Sequence, residues 1–66
     1  MSTYIERIMI EKDDLDAKIR KLDAFLMGDP ILDMLDKQSK TLLHAQMSAM
    51  QAYSFLLSAR LNHDES

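Results

Sequence analysis

The run TLLHAQMSAMQAYSFLLSA, from Thr41 to Ala59, contains no residue that is formally charged at pH 7 with histidine neutral. Its alanines, leucines, methionines and glutamines favour helix, and neither glycine nor proline interrupts it. A helix on the outside of a small soluble domain carries charge on its solvent face. This one carries none, although Lys, Arg, Asp and Glu make up 29% of the chain. The run is therefore expected to be covered on more than one side. In a chain of 66 residues there is little else to cover it with.

Helical phase resolves the run further. At about 100° per residue, two apolar seams emerge. Leu43, Met47, Met50, Ser54, Leu57 and Leu61 form the first. Leu42, Ala45, Ala49, Ala52, Leu56 and Ala59 form the second, and its alanines permit close backbone approach. Gln46, Tyr53 and Arg60, spaced seven apart, fall on a line between the seams. The outer side holds His44, Ser48, Gln51, Ser58 and one aromatic, Phe55. An outward aromatic of this kind often anchors a partner or is covered in an oligomer.

Toward the N-terminus, Gly28 and Pro30 are the only glycine and proline, and they sit together in Met27-Gly28-Asp29-Pro30. Glycine suits the position just past a helix, and proline suits the first turn of the next. Thr3-Tyr4-Ile5-Glu6 reads as a capping box, with Thr3 capping and Glu6 reaching back. The spacing predicts a first helix over about 4–27, a short helical turn over 30–35 capped by Asp29, and a second helix over about 37–62 capped by Asp36. The tail 63–66 is expected to fray. The fold class is all-α, an antiparallel helical hairpin occupying 1–66 as one domain.

The first helix has a single seam, Ile5, Ile8, Leu15, Ile19, Leu22 and Leu26, interrupted by Lys12. It can cover only one of the two seams on the second helix. The other is expected to be an interface, formed by Leu42, Ala45, Ala49, Ala52, Leu56 and Ala59 together with the Phe55 face, in an oligomeric helical bundle. A chain this small without cysteine has neither disulfides nor thiolate zinc sites, so association is the remaining source of stability.

Folding the chain at 28–36 sets Met27 opposite Lys37, so the numbers of facing residues sum to about 64. Tyr4, Glu11 and Lys18 form a line beside the first helix's seam, on the same side as Gln46, Tyr53 and Arg60. The register pairs Tyr4 with Arg60, Glu11 with Tyr53 and Lys18 with Gln46. Two readings of this ladder stand side by side. As structure, it is a set of interhelical hydrogen bonds that fixes register in a partly desolvated groove. As a binding site, Arg60 and Lys18 would hold an anion or phosphate, a tyrosine would stack a base, and Gln46 would read an amide or base edge.

Other chemistry is poorly represented. A net charge of −3, with acidic and basic residues interleaved, gives no bulk attraction to DNA. The polar residues of the charge-free run make it unsuited to a bilayer core, and the N-terminal run meets charge too early for a signal peptide. Glu11-Lys12-Asp13-Asp14 lacks the loop geometry of a calcium site. Two histidines without cysteine suggest no metal centre or cofactor, and no nucleophile motif points to an enzyme.

Tyr4-Ile5-Glu6-Arg7, Glu11-Lys12, Leu15, Lys18-Ile19, Lys21-Leu22 and Phe25 resemble the first half of many short phage and prophage proteins. Leu42-Leu43, Gln46, Met50, Tyr53, Leu57 and Arg60 resemble their second half. These are small helical proteins described as crAssphage-related, and the resemblance spans nearly the whole chain. It implies a phage accessory protein acting in the host bacterial cytoplasm, with no residue-level activity to carry over. By analogy of architecture with helical anti-CBASS and anti-Thoeris sponges, one expectation is a homo-oligomer that sequesters a cyclic nucleotide or related immune signal. Alternatives are a protein that binds and blocks a host defence protein, or a structural or regulatory phage component without a ligand.

Overall fold

Two long helices and a tight connection follow from a handful of caps. The computed structural model describes residues 3–65. Helix α1 spans Tyr4–Leu26. Thr3, in extended conformation, caps it by accepting from the Glu6 amide at 3.1 Å. That is one arm of the expected capping box. No bond returns from the Glu6 carboxylate, which stays in solvent, where such a bond contributes little.

Met27 is the C-terminal cap of α1, one residue earlier than the expected boundary. Gly28 follows at φ 153°, a backbone conformation that residues with a Cβ rarely adopt. The Asp29 side chain accepts from the Ile31 amide at 2.8 Å and starts a 3-10 turn, Pro30–Met34, with proline in its first position. Leu35 closes this turn. Asp36 accepts from the Ser39 amide at 2.7 Å, and hydrogen bonding to Ser39 holds its carboxyl below the usual carboxylate range.

Helix α2 runs Lys37–Glu65, longer than expected. His63, Asp64 and Glu65 extend it instead of fraying. Once a helix is formed, each further residue costs little, and none of these three breaks it. Ser66 of the expected frayed tail lies outside the described residues.

The helices pack antiparallel, and no strand occurs among the described residues. Ile8 of α1 and Met47 and Leu57 of α2 are buried, and Leu57 is wholly inaccessible. The remaining members of the α1 seam and of the first α2 seam are half-buried around them. The first seam therefore faces α1. Lys12 does not interrupt the packing as a lone charge. Its ammonium pairs with Asp16 at 2.6 Å, and Asp16 accepts a second bond, also 2.6 Å, from the Ser54 hydroxyl on α2. The hairpin measures 46 × 19 × 15 Å. No helix among the described residues is long and apolar enough to cross a membrane.

Candidate functional site

The register that seats Leu57 against α1 also determines which polar side chains meet beside the seam. Residues seven apart stand about 10 Å apart along a helix axis, so a line of such residues forms evenly spaced rungs. Two of the three expected rungs are closed. Arg60 donates from Nη2 to the Tyr4 hydroxyl, and its guanidinium carbon lies 5.5 Å from the Tyr4 ring centroid. Tyr53 donates its hydroxyl proton to Glu11 Oε1. Both pairs obey the register in which facing numbers sum to 64, and both lie on one side of the hairpin.

The third rung is open. Lys18 and Gln46 make no hydrogen bond to each other; Gln46 lies along its own helix, with Nε2 at 3.9 Å from Met50 Sδ. Both side chains are exposed, and in water a bond between two such flexible groups yields little net free energy. The expected desolvation of the ladder is also absent from the isolated hairpin. Tyr4 is 55% and Tyr53 41% exposed, Glu11 is exposed, and Arg60 alone is half-buried. No enclosed pocket forms among the described residues. The ladder is an open stripe.

Its electrostatics follow from these contacts. Donation to Glu11, helped by partial desolvation, pushes the Tyr53 phenol above its ordinary 10.0 and keeps it protonated well into alkaline solution. Donation to Tyr4 raises Arg60 further, so its charge is permanent. Arg60 spends one donor on Tyr4, and among the described residues the rest of its fork makes no hydrogen bond. Lys18 is likewise uncommitted among the described residues. The stripe thus offers an oriented guanidinium, a free ammonium, two part-exposed phenol rings and an amide. Glu11 is engaged by Tyr53.

The second seam lies next to this stripe. Leu42 and Leu56 are half or more exposed, and Ala45, Ala49, Ala52 and Ala59 are exposed with them. Phe55, on the far side of α2, is 76% exposed. Sequence reasoning missed the Lys12–Asp16–Ser54 cluster as a unit. Its signal was available: Lys12 and Asp16 are one helical turn apart, and Ser54 is the one polar member of the seam facing them.

A hairpin that shows polar side chains of two helices on one open face, beside an uncovered apolar seam, has the layout of a small helical binding protein. The family model described as Sequestin matches residues 2–63, and the chain belongs to the Sequestin family. No curated protein and no solved structure matches it.

Proposed function

We propose that this chain is a small phage accessory protein, one helical domain over 1–66, that works in the host bacterial cytoplasm as a homo-oligomer and sequesters a nucleotide-derived immune signal. The observation that carries the proposal is the half-committed Arg60: Tyr4 aims its guanidinium while leaving most of its donors for an anion. Lys18 adds a second cation to the same stripe, and Tyr4 and Tyr53 offer rings on which a base can stack. The family's name, Sequestin, speaks of holding a ligand rather than transforming it. A sponge needs affinity without turnover, and these residue types supply charge, stacking and hydrogen bonding. The phage assignment rests on the resemblance of both halves of the chain to short phage proteins.

A second reading is supported by Phe55, whose exposed ring suits capture of a host protein. Isothermal titration of the assembled protein with cyclic di- and trinucleotides and cyclic ADP-ribose isomers separates the two. Sequestration predicts saturable heat with at least one ligand and its loss in Arg60→Ala, with the oligomer intact. No heat from any of them rules out sequestration of these signals.

A further inference from the structure

The hairpin has more surface than its size warrants. Its accessible area is 5150 Å², against about 4300 Å² for a compact monomer of 7.6 kDa. The excess, about 850 Å², is close to what each partner buries in a standard protein interface, about 800 Å². The radius of gyration agrees: 15.0 Å, where a compact chain of this length has about 11 Å. The molecule has the proportions of half a bundle.

The uncovered seam on α2 also has a composition that fits itself. Laid antiparallel against a copy of itself about a point midway between Ala49 and Ala52, it sets Leu42 against Ala59 of the second copy, Leu56 against Ala45, and Ala49 against Ala52. Every leucine meets an alanine, so large and small side chains interlock along the whole contact. A parallel arrangement in register instead opposes leucine to leucine and alanine to alanine, which leaves gaps between the alanines. No formal charge occurs between Thr41 and Ala59 to oppose the contact, and antiparallel helices align their dipoles favourably.

We infer that a second copy of this chain docks on the Leu42–Ala59 seam, antiparallel across a twofold axis between Ala49 and Ala52, and that the two ladders then form one shared concave polar face. The shared face follows from helical phase. The seam toward α1 and the seam toward the second copy point about 150° apart on α2, and Gln46, Tyr53 and Arg60 lie inside that angle. A twofold axis perpendicular to the plane of the helices keeps both ladders on the same side. The two Tyr53 residues then stand about 7–8 Å apart along the helix direction, on helices whose axes are about 8–10 Å apart. Each Tyr53 lies nearly level with Gln46 of the other copy. The two Arg60 residues mark the ends. A ligand laid on this face touches both chains, so the site is incomplete in a lone hairpin. That last step rests on the sequestration reading; the pairing of chains does not.

Complementary charges at the centre of the seam test it. In A49E a carboxylate faces Ala52 of the second copy with no partner, and in A52K an ammonium faces Ala49. Both positions are exposed in the hairpin, and circular dichroism checks that it still forms. In sedimentation equilibrium at micromolar concentration, the wild type is expected at twice the chain mass or an even multiple. Each variant alone is expected to lose the seam contact and show at most half that mass. An equimolar mixture of the two, which sets Glu against Lys, is expected to regain it as a mixed pair. A monomeric wild type, single variants that associate like wild type, or a mixture that stays dissociated while helical each overturns the inference. Because the chain has no cysteine, a second readout is clean: A49C mixed with A52C should cross-link to each other faster than either does to itself, and equal rates contradict the register. Sedimentation and cross-linking read association alone, so their outcome is independent of whether any nucleotide binds.

Discussion

Tyr53 donates its hydroxyl proton to the Glu11 carboxylate across the two helices, although 42 residues separate them in sequence. Arg60 and Tyr4 repeat the relationship one rung farther along, at the first residue of α1. These two contacts fix one register for the hairpin, and that register puts the cationic, aromatic and amide groups of both helices on one side.

The Tyr53–Glu11 contact has a titration signature. Because the phenol is pushed above 10.0 in the folded chain, its contribution to stability is fully present below pH 10 and is lost as pH rises through the raised value. Phenolate absorbance should show one tyrosine titrating late, and Glu11→Ala should return it toward the ordinary value. A phenol that titrates identically with and without Glu11 contradicts the contact.

The Lys12–Asp16–Ser54 cluster gives the opposite pH dependence. The Lys12 ammonium, then the Ser54 hydroxyl, hold the Asp16 carboxyl below its ordinary 3.8. Its contribution is present above that value and is lost as pH falls through the lowered one. Denaturation followed below pH 4 should show a steeper loss of stability in wild type than in Asp16→Asn. Parallel acid limbs would show that the cluster is not formed.

Among the described residues Leu57 is the one wholly inaccessible side chain, and Ile8 and Met47 are the other buried members of the facing seams. Leu57→Ala should cost about 2–5 kcal/mol, which is a large share of what so small a domain holds. Urea titration followed by circular dichroism should show the midpoint collapse. Ile10→Ala, at an exposed position of α1 outside both seams, should leave the midpoint nearly unchanged. Equal effects of the two substitutions would contradict the assignment of the inner seam.

At the turn, Gly28 has open space where a Cβ would sit, so any cost of Gly28→Ala comes from the backbone alone. With φ at 153°, that strain should cost about 1–3 kcal/mol. Thermal melts should show the loss, and an unchanged melting temperature would mean the turn adopts another conformation.

Much of this was legible from residue order. Gly28 and Pro30 divided the chain, and Thr3, Asp29 and Asp36 supplied cap signals that placed the helices. The helical phase separated the inner from the outer seam, and the fold point set the Tyr4–Arg60 and Glu11–Tyr53 pairs. Less legible were effects decided by solvent and side-chain freedom. Lys18 and Gln46 stay apart because exposed flexible groups have little to gain from meeting. The ladder stays wet because one hairpin alone has nothing to cover it. Lys12 looked like a break in a seam because period counting does not see a counter-charge one turn away.

The central claim is that the protein holds a nucleotide-derived signal without transforming it. The most direct measurement incubates the assembled protein with cyclic nucleotides and cyclic ADP-ribose isomers, removes it by filtration, and analyses both fractions by chromatography after heat denaturation. Sequestration predicts that one ligand disappears from the filtrate and is recovered chemically intact from the denatured protein. A ligand left wholly in the filtrate, or returned as a product, contradicts it.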